Sequence, residues 1–140
     1  MESLINLEKK INSELSTKIN SSKIKHNHLY LNIDANDLLD IMLFLKTNSD
    51  TMFRQLIDIT AVDYPENEKR FKLVYILLSH EFNQRIHLDY DINEKEIVNS
   101  ITSVFPSANW MEREVFDMYG VNFKDHPDLR RILTDYSFDG

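Results

Sequence analysis

The sequence predicts an α+β domain in two layers, with helices stacked on a mostly antiparallel sheet and a mixed sheet as the alternative. Three observations carry this expectation. Apolar residues recur every three or four positions near the N-terminus, alternating or continuous apolar runs joined by short turns fill the middle, and a further helical pattern closes on a glycine near the C-terminus.

Leu4, Leu7, Ile11, Leu15 and Ile19 form one stripe, which predicts an amphipathic helix over residues 2–20. Leu29, Leu31 and Ile33 alternate with His28, Tyr30 and Asn32, the pattern of a half-buried strand over 28–33. Asp34 stands where a side chain accepts from the free amides of a helix over about 35–47, apolar at Leu38, Leu39, Ile41, Met42, Phe44 and Leu45. Strand-like runs follow at 56–64, 71–79 and 85–92, joined by turns at 65–70 and 80–84. Links this short suit antiparallel hairpins, because a parallel crossover needs about a dozen residues. The run 71–79 is apolar on both faces, which places it centrally.

Asn93 and Glu96 form an N-x-x-E variant of the capping box, predicting a helix that turns Ile97, Val98, Ile101 and Val104 inward and ends at Pro106. Ser107 caps the next helix, A-N-W-M-E-R-E-V-F-D-M-Y, and Gly120 follows where a left-handed residue is wanted. A last short element spans 125–133, with Pro127 in its first turn and Arg130 and Arg131 near its C-terminus, where the helix dipole favours cations. No repeat or linker interrupts the chain, so residues 1–140 are read as one domain.

Composition removes several function classes. The chain has no cysteine, which excludes thiolate nucleophiles, disulfides and cysteine-ligated zinc or iron–sulfur centres. Its two glycines, Gly120 and Gly140, cannot build a P-loop or a dinucleotide fingerprint, since both need several glycines for close approach of backbone to phosphate. A net charge of -7 argues against a nucleic-acid partner, whose binding depends on clustered basic residues. The longest strongly apolar stretch, 38–45, is interrupted by Asp40 and falls far short of the ~20 residues that cross a bilayer. The N-terminus lacks the apolar core of a signal peptide, so a soluble protein on the synthesis side of the membrane is expected.

The densest polar cluster is Glu112, Arg113, Glu114 and Asp117, followed by His126, Asp128, Arg130, Arg131 and Asp135. On a helix Arg113 and Asp117 face one another, while Glu114 and Asp117 form an acidic edge. A solvated face with weak ion pairs is the ordinary reading of such a cluster. Trp110, Met111, Val115, Phe116, Met118 and Tyr119 oppose it, because they spread around the helix and leave its charges desolvated, to be held by pairing. His26 and His28 are the closest histidine pair but lack the further ligands zinc wants. His87 and Asp89 share a polar strand face without a serine to complete a triad, and His126 before Pro127 suits the fixing of a turn.

The run E-R-E-V-F-D-M-Y-G-V-N-F at 112–123, followed by H-P-D-L-R-R-I-L-T-D-Y-S-F-D-G at 126–140, resembles the signature of the C subunit of NADH:quinone oxidoreductase, respiratory complex I. The preceding order of elements, with L-I-D-I-T-A-V-D-Y-P at 56–65, resembles the same family. The resemblance implies a cofactor-free subunit of the peripheral arm, with flavin and iron–sulfur clusters held by other subunits. It implies packing against neighbouring iron–sulfur subunits and, chiefly, the quinone-site D subunit, on the cytoplasmic face of a bacterial inner membrane or the matrix face in an organelle. It assigns folding and docking, rather than bond-breaking, to Glu112, Arg113, Glu114, Asp117, Gly120, His126, Pro127, Leu129, Arg130, Arg131, Leu133, Asp135 and Gly140. Residues 107–140 thus make the signature helix and docking segment. The family continues past this glycine into a basic, proline-containing tail, H-P-L-R-K-D-F-P, whereas this sequence stops at Gly140.

Within the family the alternative is the equivalent subunit of a membrane-bound hydrogenase or a photosynthetic quinone-reducing complex. Outside it stand an acid–base enzyme using Glu112, Glu114 and His126, and a plain adaptor domain.

Overall fold

The computed structural model describes residues 2–127. A mixed sheet of five strands forms one layer, in the order β1-β2-β5-β4-β3. Helices cover one of its faces, as the two-layer α+β expectation requires.

Helix α1 (Glu2–Glu14) buries Leu4, Leu7 and Ile11 on its predicted stripe. It ends earlier than residue 20, because Ser16 and Thr17 favour local backbone bonds over helix continuation. The chain then forms a strand that the periodicity did not announce, β1 (Ile19–Lys25). This strand is rich in Asn, Ser and Lys, so its own preference is weak. It is held by antiparallel pairing with β2 (His28–Ile33), through a two-residue turn in which His26 and Asn27 both have positive φ, 52° and 62°. That is the turn whose twist matches a hairpin.

Leu29, Leu31 and Ile33 of β2 are buried, as alternation predicts. Asp34 does not cap the following helix, and its Oδ1 instead accepts from Asn20 Nδ2 at 3.0 Å. A 3-10 turn at Ala35–Asp37 leads into α2 (Leu38–Thr47), which buries Leu38, Ile41, Met42 and Leu45.

Strands β3 (Gln55–Asp63), β4 (Phe71–Ser79) and β5 (Gln84–Ile92) are consecutive antiparallel neighbours, as their short links require. β4 is interior, but the central strand is β5, because β2 pairs with it in parallel on its other side. The two faces of β4 also differ. Phe71, Leu73, Tyr75 and Leu77 are buried under the helices, while Val74, Ile76 and Leu78 are half-buried on the open face.

The helix expected after Asn93 does not form. Its capping box does: Asn93 Oδ1 accepts from the Glu96 amide at 3.0 Å, and Glu96 Oε1 accepts from the Asn93 amide at 3.2 Å. The chain then runs as β6 (Ile97–Asn99), parallel to β7 (Asn122–Lys124) in a separate two-stranded sheet. Exposed Ile97, buried Val98 and buried Ser100 follow a period of two, and β-branched Ile97, Val98 and Ile101 lower helical preference.

Helix α3 (Ala108–Tyr119) follows, and it contacts β3 while the Tyr119 ring meets Phe71 edge-on at 6.0 Å. Ser107 occupies the cap position but is already helical (φ -61°, ψ -17°), so its side chain makes no capping bond. Gly120 closes the helix as predicted, at φ 74° with its amide donating to the Phe116 carbonyl. The expected element over 125–133 lies largely outside the described residues. Among those described, no helix is long and apolar enough to cross a membrane.

Two predictions test this packing. A Cβ at Gly120 meets no atom within 4 Å, so Gly120→Ala introduces conformational strain alone and lowers stability by about 1 kcal/mol in urea titration. Tyr75 and Tyr90 share a buried hydroxyl bond of 2.7 Å, so Tyr75→Phe strands the Tyr90 hydroxyl and costs about 1–3 kcal/mol in the same assay.

Candidate functional site

Helix α3 carries most of the candidate residues, and its packing sorts them. Ala108, Glu112 and Val115 point into the core, with Met111, Phe116 and Tyr119 packed at its margin. Trp110, Glu114, Asp117 and Met118 recur at the spacing of one outward face, and Trp110 and Met118 are 69% and 74% exposed. The expectation of four desolvated charges therefore holds for Glu112 alone. Two of the apolar residues thought to surround the helix lie in solvent, so Glu114 and Asp117 beside them are hydrated.

Glu112 is fully buried, and both carboxylate oxygens are engaged. Ser100 Oγ donates to Oε1 at 2.7 Å, and the Ile101 amide donates to Oε2 at 2.8 Å. Thr102 extends the cluster, its amide donating to Ser100 Oγ at 3.1 Å. One side chain on α3 thereby grips the loop that follows β6. Ser100 and Thr102 escaped sequence reading because they were assigned to a helix; a buried acid needs nearby donors, and an S-x-T step in an irregular loop was the available signal.

His126 is also buried, and its Nε2 donates to the Asn109 carbonyl at 2.8 Å. This bond joins the end of β7 to the first turn of α3, a tie between residues 17 positions apart rather than within a local turn. The same nitrogen lies 3.9 Å from Glu112 Oε1. Of the three residues proposed for acid–base chemistry, Glu112 and His126 are thus adjacent inside the protein, while Glu114 is on the opposite side of the helix at the surface.

Desolvation raises the Glu112 pKa to about 7, against the pull of the Ile101 and Ser100 hydrogen bonds toward the ionised form. Burial likewise holds the Tyr75 and Tyr90 hydroxyls neutral well above their ordinary range, and the nearby Glu112 charge adds to this.

Arg113 reaches Asp117 along the helix at 3.6 Å, the expected pairing, with both side chains partly in solvent. Such a pair contributes little to stability. The Arg113 Nε is itself shielded and without a hydrogen-bond acceptor. Pro127 is exposed, and Leu129, Arg130, Arg131, Leu133, Asp135 and Gly140 lie outside the described residues.

The histidine pairing differs from expectation. His26 sits in the β1–β2 turn, and His28 is instead bonded to His87 across the parallel strands, Nδ1 to Nε2 at 2.8 Å, with Tyr30 stacked on His87 at 4.3 Å between centroids. Burial lowers the His87 pKa, and His28 reinforces the shift. Among the described residues, no three His, Asp or Glu side chains converge as a metal site requires.

The Glu112 cluster generates a pH prediction. Its folded-state pKa, about 7, lies above the unfolded value of 4.5, so its contribution to stability is fully present below pH 4.5 and is lost as pH rises through 7. The loss is at most about 3 kcal/mol. Glu112→Gln retains an acceptor for the Ile101 amide and supplies a donor to Ser100 Oγ, as the protonated acid does. The urea midpoint of the variant should therefore fall less than that of the wild type between pH 5 and 8.

Comparison with known proteins places this geometry in a family. The family model described as "Respiratory-chain NADH dehydrogenase, 30 Kd subunit" matches residues 31–140. The NADH-quinone oxidoreductase C subunit of Ruegeria pomeroyi is 58% identical over 112 residues, 79% of this chain and 56% of its own length. The protein of the same name from Ruegeria sp. (strain TM1040) is 47% identical over 140 residues, 100% of this chain and 70% of its own. This chain thus spans little more than half of one relative and 70% of the other. Among solved structures, the trypsin-resistant fragment (1–134) of Nqo5 shares the fold at TM-score 0.72 and 24% identity, covering 89% of this chain and 98% of that one. A chain of the membrane-bound sulfane sulfur reductase, an archaeal respiratory membrane complex, aligns at TM-score 0.75 and 25% identity over 86% of this chain and 69% of its own. The chain belongs to the family of the 30 kDa subunit of respiratory-chain NADH dehydrogenase.

Proposed function

We propose that this chain is a cofactor-free, non-catalytic subunit in the peripheral arm of a proton-translocating NADH:quinone oxidoreductase, where it docks against the quinone-site D subunit. Flavin and iron–sulfur clusters belong to its partners in this reading, which sets it on the cytoplasmic face of a bacterial inner membrane or the matrix face in an organelle. Residues 1–140 act as one domain, and 107–140 carry its docking segment.

The observation that supports the reading most is the division of the signature on α3. Glu112 is directed inward and holds the 100–102 loop, whereas Glu114 and Asp117 share the outward face with exposed Trp110 and Met118. An exposed tryptophan and methionine on one helix face mark an interaction surface, as a lone exposed residue does not. Arg130 and Arg131 suit the same role by chemistry, since guanidinium forks pair with partner carboxylates.

The alternative within the family is the equivalent subunit of a related respiratory membrane complex, a reading supported by the likeness to the sulfane sulfur reductase chain. Mass spectrometry of the co-purified large subunit separates the two.

Deleting the chain should prevent the quinone-site partner from assembling and abolish NADH:quinone reduction in membranes; full quinone reduction without it would refute the proposal. Glu112→Gln should preserve turnover per assembled complex, an outcome that a proton-transferring role for this carboxyl forbids.

A further inference from the structure

The outward face of α3 borders a groove whose other wall is β3. Asp58, Thr60 and Ala61 of β3 and Glu114 and Met118 of α3 line it, with a volume of about 340 Å³. β3 ends the five-stranded sheet, so no further strand of that sheet closes this side. From Trp110 to Met118 the exposed face spans nine residues, about 12 Å along the helix axis. Two turns of a partner helix, or a short extended segment, match that length.

Charge decides what the groove accepts. Arg113 is directed to Asp117, 3.6 Å away. Asp58 Oδ1 accepts from the Ile59 amide, a bond that leaves its negative charge in place. Among the described residues, no cation forms an ion pair with Asp58 or Glu114. The groove is therefore anionic at two positions and apolar along Met118, within a chain of net charge -7. A side chain with an aliphatic stem and a cationic head complements both properties, and arginine fits better than lysine because its guanidinium is more weakly hydrated.

We propose that the α3–β3 groove seats an arginine or lysine of a partner subunit, its cation between Glu114 and Asp58 and its stem along Met118, with Trp110 covering an adjacent apolar contact. This rests on the docking role proposed above and names its anchor. Arginine is a common anchor where exposed tryptophan and carboxylates meet a partner, because the contact excludes water around a charge pair.

The test uses the respiratory complex assembled in cells. Glu114→Lys and Asp58→Lys should each lower the amount of assembled complex about tenfold, and Glu114→Gln should lower it less. Glu66→Lys, an exposed reversal in the β3–β4 turn, should leave assembly unchanged. Thermal melting of the isolated variants checks folding, and equal melting assigns the assembly loss to the surface. A photo-crosslinking amino acid at Met118 should capture a partner peptide containing Arg or Lys, and reversing that residue to Glu should restore assembly of Glu114→Lys. If Met118 captures an uncharged or acidic segment or a second copy of this chain, or if both lysine variants assemble normally, the anchor is wrong while the docking role stands. If assembly does not need the chain at all, both are wrong.

Discussion

The placement of α3 depends on one buried carboxyl. Glu112 accepts from Ser100 and from the Ile101 amide, so the helix and the loop after β6 are joined at a point inaccessible to water. His126 adds a second tie from the end of β7 to the start of the same helix. Together they set the rotation of α3 about its axis. That rotation sends Val115 into the core and leaves Trp110, Glu114, Asp117 and Met118 outside. A carboxyl in such a place is costly as an anion, and its raised pKa is the measure of that cost. Geometry, rather than net stability, is what the buried group supplies.

The sheet prepares the ground on which this helix rests. β5 lies at its centre, with β2 parallel on one side and β4 antiparallel on the other. Leu29, Leu31, Ile86, Leu88, Tyr90, Leu73, Tyr75 and Leu77 present a continuous buried face to the helices. Lys46 of α2 donates to the Val104 carbonyl and lies over the Phe105 ring, tying the second helix to the segment that leads into α3. The open face is different in kind: His28, Tyr30 and His87 stack there beside Asn32 and Asp89. One layer of helices is thus enough to make a core, as in many antiparallel sheets with a solvated side.

The family signature has two physical components within the described residues. Glu112, Gly120 and His126 shape the polypeptide: a buried acid, a left-handed helix stop and a buried ring that ties the end of β7 to α3. Glu114 and Asp117 stand in water and do nothing comparable for the fold, although they were read from the same short motif. One short motif thus supplies both the residues that fix the helix on its core and the residues that the helix turns outward.

What the sequence determined by itself was the local pattern. A period-two apolar run marked β2, strand-like runs between short turns marked β4 and β5, a stripe at three and four marked α1, and Gly120 marked the end of α3, because these follow from backbone geometry alone. The resemblance in residues 112–140 pointed to the family before any contact was known. Tertiary structure decided the rest. β1 is a strand because β2 offers it an edge, and residues 97–99 are a strand because β7 does, despite a capping box whose local bonds form without a helix. The parallel β2–β5 pairing joins residues 57 positions apart, such as Leu29 and Ile86, and the meeting of His28 with His87 joins residues 59 apart. Whether each charge on α3 is buried or hydrated also lay beyond the motif, since a helix repeats every 3.6 residues whichever way it faces. The grip of Ser100 and Ile101 on Glu112 and the tie from His126 to Asn109 choose the face, and both are contacts between segments the chain folds together.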